Sequence, residues 1–122
     1  MRKRRVLIVE DDQPVREALG YALASENYEI VSAGNGREAL QGFAENQIDF
    51  ALLDLNVGTE NGWDIFERLT SLQPRLPIIV MSAFPELLSA PMAARAVTCL
   101  EKPLNLAVLF QKLDSLSKAS EN

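Results

Sequence analysis

Residues 48–62, IDFALLDLNVGTENG, constrain the fold more than any other stretch of the chain. Ile48, Phe50, Ala51, Leu52, Leu53 and Leu55 form an almost continuous apolar run, the pattern of a strand buried on both faces in a parallel sheet. Asp54 interrupts it. A carboxylate at the tip of a buried strand costs on the order of 2–7 kcal/mol without a partner, so its presence calls for a reason. Asn56, Gly58, Asn61 and Gly62 follow as turn formers. They take the chain tightly out of the sheet and leave Asp54 at the sheet's carboxyl edge, where open α/β sheets bind ligands.

The rest of the chain repeats this logic. Val6-Leu7-Ile8-Val9 reads as a short apolar strand ending in three acids, Glu10, Asp11 and Asp12. Pro14 suits a first helical turn, and Val15, Ala18, Leu19, Ala22 and Leu23 recur at helical spacing. Residues 28–33 read as a second strand, Gly34-Asn35-Gly36 as a turn, and Ala39, Leu40, Phe43 and Ala44 as one face of a second helix. After the third strand, Ile65, Phe66, Leu69 and Leu72 mark a third helix punctuated by Pro74 and Pro77. Residues 78–82 make a fourth strand. Pro85 and Pro91 bracket the place of a fourth helix, and Pro91 predicts that it is short or irregular. Residues 97–101 read as a fifth strand, Lys102-Pro103 as a turn, and Leu106, Leu109, Phe110, Leu113 and Leu116 as a final amphipathic helix before a polar, frayed tail at 117–122.

Five strands alternating with five helices specify a parallel sheet covered on both faces. With right-handed crossovers the common strand order is 2-1-3-4-5, the flavodoxin-like three-layer α/β sandwich. At 122 residues this is a single domain, 1–122, with its core at about 4–116. A net charge of −5 argues against a nucleic-acid-binding surface. The basic run Arg2-Lys3-Arg4-Arg5 reads as a solvated flank guarding the first apolar strand. No apolar segment reaches the ~20 residues of a membrane span, no secretory pattern opens the chain, and the single cysteine, Cys99, makes no internal disulfide. These features predict a cytoplasmic protein.

The predicted order makes the first and third strands neighbours, with axes roughly 5 Å apart, so Glu10, Asp11 and Asp12 converge on Asp54. Carboxylates crowded into one cleft repel each other. A hard divalent cation relieves that repulsion, and this ligand set suits Mg2+, which also binds phosphate. One Asp54 oxygen then stays free as a nucleophile, and aspartate is a known phosphoryl acceptor. Lys102 and Ser82, at the ends of the fifth and fourth strands, stand where an ammonium and a hydroxyl would meet phosphoryl oxygens. Each residue also has a plainer explanation. Asp12 suits a helix N-cap, Asp54 an Asx-turn, Ser82 a turn, and Lys102 a solvated turn position. Their joint placement at four strand ends is what the plainer explanations do not reach.

The motifs VLIVEDD (6–12), LLDLNVGTENG (52–62), IIVMSA (78–83) and EKP (101–103), in this order and spacing, resemble the receiver domain of two-component response regulators over residues 4 to about 116. The resemblance implies that Asp54 accepts a phosphoryl group from a histidine kinase or a histidine phosphotransfer protein. It implies that Glu10 and Asp11 match the family's acidic pair with Asp11 bound directly to Mg2+, and that the Asn56 carbonyl completes the metal shell. Arg16 stands in its usual place five residues on, and Ser82 and Lys102 match the family's hydroxyl and lysine. Such a domain is a switch rather than an enzyme, its own chemistry limited to taking and losing the phosphoryl group. Its output is a downstream effector protein or domain, and a phosphorylation-dependent homodimer is compatible with it.

The chain also departs from the family. Gly58 replaces a usual proline, which predicts a looser loop, and Glu60 replaces a usual hydrophobic residue. The stretch between Ser82 and Lys102 is about two residues short, and Cys99 stands where an aromatic normally switches. Three rival readings remain. A degenerate receiver would bind partners without phosphorylation. A phosphatase of the aspartyl-phosphate type would want an aspartate where Asn56 stands. A flavin carrier would have to hold phosphate against Glu10-Asp11-Asp12.

Overall fold

The computed structural model describes residues 3–84, 96 and 98–120. In chain order the elements are β1 (Arg5–Val9), α1 (Gln13–Ser25), β2 (Glu29–Ala33), α2 (Gly36–Glu45), β3 (Phe50–Asp54), β4 (Asn56–Val57), β5 (Glu60–Asn61), α3 (Gly62–Leu72), β6 (Ile78–Ser82), β7 (Thr98–Glu101) and α4 (Leu106–Ser120). Five strands pair in parallel in the order β2-β1-β3-β6-β7. This is the expected 2-1-3-4-5 arrangement.

The near-continuous apolar runs follow from the period of two in a strand. Leu7, Val9, Ala51, Leu53, Ile78 and Val80 face one layer, where they meet Ala39 of α2 and Ile65, Phe66 and Leu69 of α3. Val6, Ile8, Phe50, Leu52, Ile79 and Met81 face the other, against Leu19 and Leu23 of α1 and Leu109 and Leu113 of α4. With helices on both faces, every position of β1, β3 and β6 except Arg5 is buried.

The helix starts are fixed by short polar side chains. Asp12 accepts from the Val15 amide at 3.2 Å and caps α1, Asn35 accepts from Glu38 at 2.8 Å and caps α2, and Asn61 accepts from Trp63 at 2.9 Å and caps α3. Pro14 sits in the first turn of α1, as predicted. Trp63 stacks on Phe66 with ring centroids 4.3 Å apart, which makes it a packing residue at the start of α3.

Four expectations are refined. Residues 48 and 49 precede β3, and residue 28 precedes β2. The chain after Asp54 is a two-residue antiparallel ladder, β4 with β5, rather than an open loop. Arg5 is not a free flank: its guanidinium pairs with Glu29, its register partner on β2, at 2.8 and 3.0 Å. At the other end α4 runs on through residues 117–120, with Lys118 and Asp114 paired at 3.1 Å across one turn. An (i, i+4) pair supports a helix end that composition alone reads as frayed. The fourth helix, with Pro85, Pro91 and Val97, lies outside the described residues.

Candidate functional site

Register alone assembles the site. Val9 stands opposite Leu53, so the next residues, Glu10 and Asp54, emerge side by side at the carboxyl edge. Ser82 stands opposite Glu101, which brings Lys102 to the same edge. One carboxylate oxygen each from Glu10, Asp11 and Asp54 lies within 4.8 Å of the others. Lys102 Nζ donates to Asp54 Oδ2 at 2.8 Å and to Glu10 Oε1 at 3.2 Å. Asp54 is 2% exposed and Glu10 1% exposed, so these are interior charges and their pairing matters.

The backbone around them is tightly held. The Glu10 amide donates to the Ala33 carbonyl at 3.0 Å, and the Glu10 carbonyl accepts from Arg16 Nη1 at 2.7 Å. Asp54 Oδ1 accepts from the Asn56 amide at 3.0 Å. The Gly62 amide donates to the Leu55 carbonyl at 2.9 Å. A Cβ at Gly62 would lie 2.5 Å from the Asp54 carbonyl oxygen, so only glycine lets α3 begin this close to the acceptor strand. Gly58 has φ +61°, a conformation closed to proline, whose φ is fixed near −65°. The departure from the family's proline therefore has a conformational reason.

Burial pushes the Glu10 carboxyl up to about 7, and the hydrogen bond and charge of Asp54 push the same way. For Lys102, burial favours the neutral amine, but the Asp54 hydrogen bond and the two carboxylates outweigh it and leave the ammonium above its ordinary value. Two acids and one lysine thus share one largely buried site.

The donor set fits a magnesium ion. Oxygen ligands lie about 2.0–2.1 Å from Mg2+, hence roughly 3 Å apart in cis and 4 Å in trans. Carboxylates already within 4.8 Å need only a small inward movement. Asp11 is the exposed member of the three and faces solvent. Beside the site opens a mainly apolar cleft of about 510 Å³, reached by Glu10 and Lys102 and walled by Val15, Leu19, Leu104 and Leu106.

The structure therefore brings together Glu10, Asp11, Asp54 and Lys102, with Asn56 bonded to Asp54 through its amide. Asp12 points its side chain into the α1 cap instead. Ser82 is buried at the end of β6; its hydroxyl accepts from the Phe84 amide at 3.0 Å. Sequence reasoning did not anticipate the Lys102 bridge to Glu10, nor the bond from Arg16 to the Glu10 carbonyl. An arginine on the first turn of α1, six residues after Glu10, was the signal available for the second of these.

A parallel α/β sandwich with three carboxylates and a lysine converging at one sheet edge is an arrangement able to hold a divalent cation beside a buried aspartate. Residues 6–114 match the model of the response regulator receiver domain, and the chain belongs to that family. It is 29% identical over 117 residues to the transcriptional regulatory protein GlrR of Escherichia coli K12, covering 94% of this chain and 26% of GlrR. It is 35% identical over 111 residues to the DNA-binding transcriptional regulator NtrC of Azospirillum brasilense, covering 89% and 23%. The chain thus spans about a quarter of these relatives' length. Among solved structures, the response regulator TrrA of Thermotoga maritima in complex with Mg2+-BeF superposes with a TM-score of 0.84 at 29% identity, over 93% of this chain and 98% of that one. TrrA has also been solved in complex with the histidine kinase ThkA, with a TM-score of 0.82 to this chain over 93% and 97% of the two.

Proposed function

We propose that Asp54 accepts a phosphoryl group from a phosphohistidine on a histidine kinase or a histidine phosphotransfer protein. One observation carries this reading: the buried Asp54 carboxylate lies among Glu10, Asp11 and Lys102 at the open edge of the sheet. The chain has no histidine, so the donor imidazole lies outside these 122 residues. The cleft beside the site offers that partner an apolar seat. The complex of TrrA with its kinase supports the same class of donor.

Asp54 attacks phosphorus, the phosphorus–nitrogen bond breaks, and the departing ring nitrogen takes a proton from water, giving an aspartyl phosphate and a neutral imidazole. Glu10, Asp11 and the Asn56 carbonyl, with Asp54 itself, would hold Mg2+, which supplies charge neutralisation on the transferring oxygens. Lys102 releases Asp54 Oδ2 and pairs with a phosphoryl oxygen. Ser82 Oγ donates its proton to another while remaining an acceptor for Phe84. The added charge and acceptor oxygens thereby act on Ser82 and the Phe84 amide bonded to it and bias the surface that an effector protein or domain reads. We place this switch in the cytoplasm, with self-dephosphorylation as its only turnover.

Intact protein incubated with acetyl phosphate and Mg2+ is expected to gain the mass of one phosphoryl group. Asp54→Asn is expected to gain none. Absence of the adduct in the unaltered chain would make it a degenerate receiver.

A further inference from the structure

The ladder of β4 and β5 contains only two residue pairs, Asn56 with Asn61 and Val57 with Glu60. So short a ladder does not hold its own position. It nevertheless forms one wall of the cation site: Asn56 opens it, and a Cβ on Gly58 at its tip would lie 3.7 Å from Asp11 Oδ2. Two side chains on one side of the ladder moor it to the rest of the domain. Val57, 2% exposed, enters the core. Glu60 reaches across 24 residues of sequence and accepts from the Gly36 amide, the first of α2, at 2.9 Å. The fit is close, because a Cβ on Gly36 would lie 2.5 Å from Glu60 Oε2. A carboxylate on a first-turn amide gains from the charge-assisted bond and from the helix dipole. Asn61 contributes no second such tie, since its side chain caps α3.

We propose that Glu60 is a positioning residue for cation binding: it fixes the ladder against α2 and so holds Asn56 in place beside Asp54. Valine packing sets the depth of the ladder and the Glu60 bond sets its direction. The inference rests on the acceptor reading above, because it takes Asn56 as part of the Mg2+ shell.

The test is Mg2+ titration of the full chain, read by Trp63 fluorescence and by the rate of phosphoryl uptake from acetyl phosphate. Glu60→Ala should raise the half-saturating Mg2+ roughly tenfold, the loss typical of an outer-shell support, while the rate at saturating Mg2+ stays within about twofold of the unaltered chain. Glu60→Gln keeps an oxygen for the Gly36 amide but loses the charge, and should fall between the unaltered chain and Glu60→Ala. Gly36→Ala, whose methyl displaces the carboxylate, should behave like Glu60→Ala, and the double variant should be no worse than either. Urea unfolding of each variant confirms that it is folded. A Glu60→Ala protein that binds Mg2+ normally overturns the proposal, as does a Glu60→Gln protein as weak as Glu60→Ala. If the unaltered chain neither binds Mg2+ nor takes a phosphoryl group, the acceptor reading falls first and this proposal with it.

Discussion

The strands that carry the acids and the strand that carries the lysine are built differently. β1 and β3 lie inside the sheet, and all their positions but Arg5 are buried. β7 is an edge strand whose first three residues are only half-buried and whose fourth, Glu101, is exposed. The acids therefore follow buried strands inside the sheet, while Lys102 reaches them from its edge. A cation site needs ligands that do not drift, whereas a group that follows a newly arrived phosphoryl needs room to move. The division of labour that the proposed function assigns to them would lie in this difference of burial, and it can be broken experimentally from either side.

The largest effect is expected in the interior. Leu52 of β3 is fully buried against the layer of α1 and α4. Leu52→Ala should cost roughly 2–5 kcal/mol through lost transfer energy and a residual cavity, read as a lower urea midpoint with an unchanged slope. A loss below about 1 kcal/mol would mean that β3 is not the rigid mount proposed here.

Next comes the proton on Glu10. Its carboxyl sits at about 7 in the folded chain against an ordinary 4.5, so between these values the folded state binds more protons than the unfolded. The resulting stability is fully present below 4.5 and is lost as pH rises through 7, about 3 kcal/mol in metal-free protein. Mg2+ requires the ionised carboxylate and displaces that proton, so its affinity should rise with pH up to about 7 and level off above. Glu10→Gln should remove both trends. Urea midpoints across this window and Mg2+ titrations followed at Trp63 give the two readings. An affinity independent of pH in the unaltered chain would show that Glu10 does not face the cation.

Lys102 tests the margin. Removing it leaves Glu10 and Asp54 facing each other without the ammonium that bridges them. Breaking a buried pair from one side costs about 3–5 kcal/mol; the lysine side chain is 30% exposed and Glu10 can take a proton, so Lys102→Ala should cost roughly 2 kcal/mol without metal. Mg2+ should restore most of it, because the cation replaces the missing charge. Unfolding with and without Mg2+ decides; a loss that Mg2+ leaves untouched would assign Lys102 a packing role.

Much of this was legible in the sequence because buried strands announce themselves. The runs at 6–9, 50–54 and 78–82 have no polar face, and the acids, Asp54 and Ser82 end them, so topology alone predicted the convergence of Glu10, Asp11 and Asp54. What stayed hidden depends on side chains meeting across long stretches of sequence. Nothing local in Glu60 announces an amide 24 residues earlier, and nothing in Arg5 announces Glu29. The ladder after Asp54 was also hidden, since two-residue strands made of Asn, Val and Glu carry no period. Gly58 and Gly62 read correctly as turn formers, but the need for a positive φ at one and for a close backbone approach at the other appears only in three dimensions.

The smallest effect is expected at Cys99, on the half-buried β7 opposite Val80. Its thiol packs at the edge of the core cluster shared by α2 and α3, and burial pushes its pKa up. The raised value leaves little thiolate at neutral pH, and thiolate is the reactive form. Alkylation by iodoacetamide should therefore run more slowly than for an unhindered cysteine. Cys99→Ala should shift stability by less than about 1 kcal/mol and leave Mg2+ binding and phosphoryl uptake unchanged. The site's carboxylates follow β1 and β3, so a small change on the far strand reaches them through Lys102, whose own amide is fixed to the Ser82 carbonyl at 2.9 Å. A loss as large as that of Leu52→Ala would make β7 as much a mount as β3, and the contrast between a fixed acid wall and a yielding lysine margin would not stand.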